Sequence, residues 1–505
     1  MGAEEDREVT SQEDKAAHLF SHYSSLLGSL SARSETINWS RLGIQQHDLQ
    51  HLDSELTEQE VHQAILDAPA EKAPGPDGFI GDLVRALHGI FQLRGRHWNL
   101  LNTANITLIP KRDDAETAQD YRPISLMHSV AKILAKVLAN RLAPHLHSII
   151  SHSQSAFIKG RSIHDNFQYI QGAIRHFHRS KTLMLFIKLD IAKAFDNVRL
   201  DYLLEVLKQI GFGQRWRGII SLIWSTTSSR IILNGESGRP IQHRCGLRQG
   251  DPLSPMLFTQ YNAFSRKQVN KGCYPQSAAI QFVTHKSDVE NLQLLLEWFG
   301  EATGLKTNIQ KLEIYKVNCE ALNISNILDH FRGNIAEFPC KYLGLPLRIG
   351  RTSRADEQIL IDKIGSKLSG WKGKLLTRAG RLQLVQAVLS AIPTYSMTNF
   401  TLSSWAVKRI DHLHRNFLWK GSEDAKGGHC LVNWKRVCRS KFLGGLGIKN
   451  LYSFNRALRL RWLWLKWRQP NKPWAGFQLN QSNVKKDLFR ACTRIVVGNG
   501  RQACF

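Results

Sequence analysis

FIKLDIAKAFDNV, Phe186 to Val198, runs four apolar or aliphatic-stemmed positions into Asp190 and sets a second aspartate, Asp196, directly after an aromatic. The run LMLFIKLD reads as a buried strand, and an unpaired charge inside such a strand is costly. RLDYLLEVLKQIG follows as a helix with Leu203, Leu207 and Ile210 inward and Gly211 as its C-terminal stop. Strand, turn and helix therefore come in sequence, with Asp190 at the strand exit. In a basic protein that placement suits a magnesium ligand for phosphoryl transfer, because Mg²⁺ takes one or two carboxylates plus substrate phosphates. The same pattern suits an aspartate, Asp190 or Asp196, that caps the next helix. Locally the two readings stand level.

Outward from this stretch, composition sets the frame. The 505 residues are 42% hydrophobic, enough for two to four domains. Lys and Arg total 68 against 42 acidic residues, a formal charge of +26, and a polyanionic partner accounts for that surplus most simply. Eight cysteines are scattered without a CxxC pair, which signals neither a disulfide scaffold nor a zinc ribbon and fits a reducing compartment. HCLVNWKRVC, His429 to Cys438, matches no ordinary zinc spacing. The acidic start MGAEEDREVTSQEDK lacks an apolar signal core, and position six is Asp where a myristoylation signal wants Ser or Thr. No run approaches the roughly 18 apolar residues of a membrane span. The expectation is an intracellular protein, nuclear or cytoplasmic, with no membrane partner.

Residues 1 to 56 read as a polar lead-in with one helix, DKAAHLFSHYSSLLGSL. From Ser54, Thr57 with Glu60 three positions on forms a capping box ahead of an apolar stripe. NITLIPKRDD reads as a strand entering a basic turn, SVAKILAKVLANRLAPHL as a helix ending before Pro144, and SRIILNGESGRPI as a hairpin around Asn234-Gly235. ENLQLLLEWFGEATGL is a further amphipathic helix. Beyond residue 350 the pattern becomes helical, basic and tryptophan-rich, typified by RLRWLWLKWR, Arg459 to Arg468.

Seven ordered motifs, KAPGPDGF, LIPKRDDAETAQDYRPISL, QSAFIKGRSIHDNF, KLDIAKAFDNV, GLRQGDPLSPMLF, GLKTNIQKLEI and KYLGLPL, resemble the reverse transcriptase of LINE-type non-LTR retrotransposons in its plant form, over residues 35 to 505. The resemblance implies an α+β right-hand polymerase: fingers and palm on an antiparallel sheet flanked by helices, then a helical thumb and connector. It implies a lead-in at 1–56, fingers and palm at 57–347, a thumb at 348–420 and a basic Trp-rich region at 421–505. It implies RNA-directed DNA polymerisation on an RNA template and DNA primer, with deoxynucleoside triphosphates and Mg²⁺ or Mn²⁺. Residue by residue, Asp190 matches the first metal-binding aspartate, and Phe195 the aromatic under the incoming sugar that excludes a 2′-OH. Asp196 becomes a structural residue at a helix start. Lys111 and Arg122 match the cations on the triphosphate. Gln249 and Gly250 match the loop against nucleotide and template, Lys311 the general acid for the leaving pyrophosphate, and Tyr342, Leu343 and Gly344 the hairpin gripping the primer end. Taken singly, Arg122 and Lys311 also suit solvated surface roles and Tyr342 a core role.

The same resemblance exposes departures. After GDPLSPMLF the family carries a hairpin with Tyr-Ala-Asp-Asp, whose first aspartate joins Asp190 in holding two metals. Here CYPQS, Cys273 to Ser277, stands in that place, and the only acidic residue between Asp251 and Glu290 is Asp288. The segment from Gly81 to Ile106 is shorter than the family's. No endonuclease region precedes the polymerase, and the chain stops short of a zinc-binding-like region. A site reduced to Asp190 should hold metals weakly, so the expectation is a crippled polymerase, with a non-catalytic RNA-binding or ribonucleoprotein-binding protein as the alternative. In the helix NRALRLRWLWLKWR, Arg456, Arg459 and Lys466 fall on one face and Leu458, Trp462 and Leu465 on another. The first face suits a phosphate backbone. The tryptophans suit a helical core or base stacking.

Overall fold

The computed structural model describes residues 10–29, 33, 35, 37–42, 44–67, 76–78, 98–152, 154–261, 280–283, 286–319, 331, 333–368, 375–421, 432–479 and 481–494. They divide into two compact units, one of residues 1–161 and 184–336, the other of 162–183 and 337–505. The architecture is α+β.

The first unit holds two four-stranded sheets. In one, the order is β2 (Tyr121–Met127), β1 (Thr103–Pro110), β4 (Ser228–Leu233), β5 (Glu236–Gln242). Its β1–β2 and β4–β5 pairs are antiparallel, and β1–β4 is parallel. The β4–β5 turn is the expected Asn234-Gly235, with φ of 51° and 89° at the two positions, the left-handed pair that a two-residue hairpin loop requires. Tyr23 and Leu27, from the helix Gln12–Leu27, pack with Ile106, Ile231 and Ile241 of this sheet. The N-terminal helix is thus part of a core.

The second sheet decides the site. Its order is β6 (Ile280–Val283), β3 (Met184–Lys188), β7 (Glu313–Val317), β8 (Asn334–Ala336). β3 runs antiparallel to both neighbours, with Phe186 opposite Phe282 on one side and Tyr315 on the other. Leu185, Ile187 and Leu189 pack with Val289 and Leu292 of the helix Lys286–Thr303. Phe186, on the opposite face, is fully buried with its ring 5.7 Å from that of Tyr315. A strand covered on both faces reads as a continuous apolar run, as Met184 to Ile187 does.

The helix Leu200–Ile210 buries Leu203, Leu207 and Ile210 as the sequence implies, and Gly211 ends it at φ 110°. With the helices Ser129–Leu142 and Gln214–Ser225 it forms the largest core, around Leu138, Leu142, Tyr202, Trp216 and Tyr261. Thr57 and Glu60 form the expected capping box. Glu60 also holds Arg141, 2.6 Å from Nη2 to Oε2, which draws its carboxyl down to about 2.

The second unit contains the hairpin of β9 (Cys340–Tyr342) and β10 (Leu345–Leu347). Its helices include Ile163–Arg179, Ile392–Asn399, Ser404–Lys420 and Leu451–Arg468. Its core runs through Ile364, Val385, Leu389, Met397, Ile410 and Phe417. One expectation is corrected here. Arg459 does not share an exposed basic face with Arg456 and Lys466: it is 4% exposed. Its guanidinium Nη1 donates to the carbonyls of Thr398 and Asn399 at the C-terminus of Ile392–Asn399, where unpaired carbonyls and the helix dipole favour a cation. Trp462 is buried, as the core reading has it. Among the described residues no helix is long and apolar enough to cross a membrane.

Because Phe186 fills the centre of the second sheet, Phe186→Ala is expected to destabilise the first unit by about 3–5 kcal/mol, the range for a buried phenylalanine deletion. A urea midpoint unchanged within error would contradict this account of the core.

Candidate active site

The strand exit resolves the puzzle of Asp190. The carboxylate stands two residues past the end of β3, where its side chain is 46% exposed. The ladder does not stop with the strand. Asn308 N–H donates to the Asp190 carbonyl at 2.7 Å and Ala192 N–H to the Lys306 carbonyl at 3.0 Å, with Ile191 bridged to Thr307. Asn308 then caps the short turn Ile309–Lys311 through its side chain. That backbone path brings Lys311 Nζ to 3.7 Å from Asp190 Oδ2. Both groups face water, so the pair contributes little to stability. The backbone places it.

The turn after Asp190 carries Lys193 at φ 44°. Its carbonyl accepts from Asp196 N–H at 2.9 Å and Asn197 N–H at 3.1 Å, while Asn197 Nδ2 returns to the Ala192 carbonyl at 2.9 Å. Phe195 stacks on Phe258 with centroids 4.4 Å apart and meets the edge of Phe157 at 6.4 Å. Neither aspartate caps a helix. The next helix starts at Leu200 with Arg199 at its N-cap and no side-chain capping bond, which corrects the helix-start role of Asp196. Its Oδ1 instead accepts from Gln249 Nε2 at 3.4 Å. Burial raises the Asp196 pKa, partly offset by Gln249, Lys193 and Lys111.

Gln249 and Gly250 are fixed by β2. Ser125 N–H donates to the Gln249 carbonyl at 2.8 Å. Gly250 has φ 114°, and a Cβ there would lie 2.9 Å from the Ser125 carbonyl oxygen. Only glycine fits this approach. The preceding Arg248 is buried and donates through Nη2 to Asn102 Oδ1 at 2.6 Å, and Asp251 Oδ1 accepts from Leu253 N–H at 2.7 Å. Lys111 follows β1, with its backbone N–H on the Asp120 carbonyl at 2.8 Å. Arg122 is exposed on β2 opposite Ile109.

Asp190, Phe195, Lys111, Gln249, Gly250 and Lys311 thus share the first unit with its two sheets. Tyr342, Leu343 and Gly344 belong to the second. They form the β9–β10 turn, with Leu343 at φ 50° and Gly344 at φ 76°. Tyr342 is buried at 7% exposure, as its core reading has it, and the Leu343 carbonyl accepts from Tyr395 Oη at 2.6 Å. The sequence reading passed over Lys193, Arg248 and Tyr23. Lys193 had a signal, a lone cation between alanines one turn before Asp196. Tyr23 had none, because its phenol, pushed up to about 12 by burial and by the Asp196 charge, reaches this region from a distant helix.

The donor set does not fit two divalent ions. Among the described residues no three His, Cys, Asp or Glu side chains cluster as metal ligands. Asp190 faces Lys311, and Asp196, half-buried, accepts from Gln249. Glu313 is bound to Lys188 at 2.6 Å and to Tyr315 Oη at 3.0 Å. Burial pushes the Glu313 carboxyl up, but those bonds outweigh it and leave the pKa lowered. CYPQS lies outside the described residues.

A largely antiparallel sheet with a carboxylate at the exit of a central strand, a lysine beside it and a glycine loop folded against the next turn is the layout of a polymerase palm. Residues 109–347 match the family described as reverse transcriptase (RNA-dependent DNA polymerase). The chain is 25% identical over 444 residues to the transposon TX1 uncharacterized 149 kDa protein of Xenopus laevis, covering 82% of this chain and 33% of that protein. It is 24% identical over 474 residues to the Pol polyprotein of the type-2 retrotransposable element R2DM of Drosophila melanogaster, covering 88% and 43%. A stretch of 115 residues is 40% identical to a protein of Arabidopsis thaliana described as a ribonuclease H protein, 23% of this chain and 18% of that one. Among solved structures, the RNA-dependent RNA polymerase of a human picorbirnavirus aligns over 95% of this chain and 83% of its own at 10% identity and a TM-score of 0.46. Residues 109–347 thus resemble a reverse transcriptase domain, and the chain is similar over most of its length to a Pol protein of a non-LTR retrotransposon. It spans a third of the Xenopus protein's length and less than half of the Drosophila protein's.

Two outcomes follow from the geometry. Gly250→Ala forces a Cβ onto Ser125 at a left-handed φ and is expected to cost about 1–3 kcal/mol, read as a lowered urea midpoint. Asp196→Asn keeps an acceptor for Gln249 and removes a half-buried charge. An acid whose folded pKa is raised loses stability as pH climbs from its unfolded pKa through the folded one. The variant should therefore match the parent at pH 3, where both are neutral, and be at least as stable at pH 7. A midpoint below the parent's at pH 7 would contradict that sign.

Proposed function

We propose that this chain descends from an RNA-directed DNA polymerase of a plant non-LTR retrotransposon, and that the chain as it stands binds nucleic acid while extending primers poorly or not at all. One observation carries the reading: Asp190 stands at the strand exit and belongs to no cluster of three or more metal-ligating side chains among the described residues, and residues 252–287 contain no acid that could supply a second aspartate. Templated extension needs one ion to activate the primer 3′-OH and another to steady the leaving pyrophosphate. The donor set among the described residues falls short of that requirement.

The remaining residues keep a plausible geometry for substrate. Phe195, backed by Phe258, offers a flat wall for a sugar. Lys111 and Arg122 supply positive charge for a triphosphate, and Lys193 adds to it. Gln249 and Gly250, held by β2, present backbone to a nucleotide or template. Lys311, 3.7 Å from Asp190, is placed to donate a proton near that carboxylate. The net charge of +26 favours RNA or DNA in either event. The identity to the Arabidopsis protein supports the plant form.

Primer extension on a homopolymer RNA template with a DNA primer, in Mg²⁺ and in Mn²⁺, beside Asp190→Ala, tests this. Losing one metal site forfeits several kcal/mol of transition-state stabilisation, so extension is expected on the order of 10³-fold or more below that of a related enzyme with both aspartates. Asp190→Ala should change little. Robust Mg²⁺-dependent extension that vanishes in Asp190→Ala would overturn the proposal by showing that another carboxylate completes the site.

A further inference from the structure

The helix Leu451–Arg468 contains no carboxylate and carries Arg456, Arg459, Arg461, Lys466 and Arg468. Most of its inward polar groups are used. Asn455 Nδ2 donates to the carbonyls of Met397 and Phe400 at 2.9 and 2.8 Å, and Trp462 Nε1 to that of Thr398 at 2.6 Å, beside Arg459. Among the described residues the outward row has no such hydrogen bonds to explain it. Tyr452 is 57% exposed, Trp464 46% and Trp467 47%, interleaved with exposed Arg461 and Arg468. At 1.5 Å per residue the row runs about 24 Å.

The rings and cations are arranged together. Trp464 and Trp467 lie edge to face at 6.0 Å, and Trp467 meets Phe489 at 6.2 Å. Arg468 sits 5.9 Å from the Trp464 ring and Arg456 5.7 Å from that of Tyr452. The acid on the neighbouring helix Asn483–Cys492, Asp487, is 3.6 Å from Arg490. Exposed π-faces with interleaved cations and no acid on the helix match the two demands of a single strand: stacking for bases and charge for phosphates. A duplex hides its base faces and gains only from the charge. The charge of Arg461 is felt at His164, near the β9–β10 turn. Tyr395 Oη binds the Leu343 carbonyl, and the His164 ring lies 4.7 Å from the Tyr395 ring. His164 has its pKa lowered by burial and then by the Arg461 charge.

We propose that the outer row of this helix is a track for single-stranded nucleic acid, with bases on Trp464 and Trp467 and phosphates on Arg461 and Arg468. The track works without metal and does not depend on whether the palm extends primers.

The test uses the full chain without divalent ions, a 12-nucleotide uridine RNA and a 12-base-pair duplex. Affinity is read by anisotropy, and tryptophan emission is followed in parallel. The double substitution Trp464→Ala with Trp467→Ala is expected to weaken single-strand binding about 10-fold or more, to leave duplex binding within about 2-fold, and to remove part of the quenching seen on RNA saturation. The pair Trp464→Phe with Trp467→Phe should restore most of the affinity. Arg461→Gln with Arg468→Gln should lower the slope of log K against log salt by about 1.4. Unchanged affinity and quenching in the alanine pair would overturn the proposal. So would equal losses for single strand and duplex, or quenching by anionic vesicles and not by RNA. If the alanine pair does not fold, quenching of the parent and the phenylalanine pair still decide. Primer extension is scored separately from these binding readouts, so failure of the track and failure of the palm reading are separable.

Discussion

The candidate site hangs on a five-residue strand hydrogen-bonded on both sides and covered on both faces. Between β6 and β7, β3 has no freedom to slip, because a shift by one residue would turn Leu185 and Ile187 away from Val289 and Leu292 and put Phe186 in their place. Register fixes where the strand ends, and the end fixes Asp190. The Ile191–Thr307 bridge extends the same register beyond the strand and carries it to Lys311. Two exposed, flexible, oppositely charged side chains rarely hold each other in place in water. Their proximity here is inherited from backbone bonds laid down in the sheet.

A second fixed point ties the other sheet to the same turn. β2 offers Ser125 to the Gln249 carbonyl, the left-handed Gly250 lets the two backbones approach, and the Gln249 side chain reaches Asp196. Asp196 lies between Gln249 and the charges of Lys193 and Lys111, in a setting where burial opposes its ionisation. A buried acid with modest compensation is a poor stabiliser. What the contact supplies is position: it joins the turn carrying Phe195 to the loop carrying Gln249.

Features written in a few adjacent residues were legible in the sequence. The Thr57–Glu60 capping box, the Gly211 stop, the Asn234-Gly235 turn and the apolar run of β3 all follow from local chemistry, and all stand in the structure. What failed depended on partners far along the chain. A helical wheel puts Arg459 on the wet side with Arg456, since a lone guanidinium seeks water. The structure buries it because the open carbonyls of Ile392–Asn399, sixty residues away, offer better acceptors than an apolar core would. The helix-start role of Asp196 rests on the resemblance alone, while the apolar pattern begins the helix at Arg199, where the structure has its N-cap; the intervening turn, with Lys193 left-handed, has no periodic signature. The hairpin that the resemblance assigns to the primer end is formed as β9–β10, with Tyr342 buried.

The constraints that hold this fold differ from those that chemistry requires, and the difference bears on how such a chain persists. Two aspartates gathered around a pair of ions repel each other when the ions leave, so the second carboxylate stabilises nothing in the free protein. Asp190 alone is compensated by Lys311. Removing its partner therefore relieves a like-charge contact while β3, the Gly250 approach and the Leu200–Ile210 core remain, each held by packing or backbone bonds that no metal supports. On the proposed reading, selection for folding and for nucleic-acid binding acts on the strand register and the basic surface, and neither would detect the loss of a metal ligand. A polymerase fold can in this way outlast its chemistry, keeping the charge that draws a polyanion to it after the groups that would act on a 3′-OH have gone.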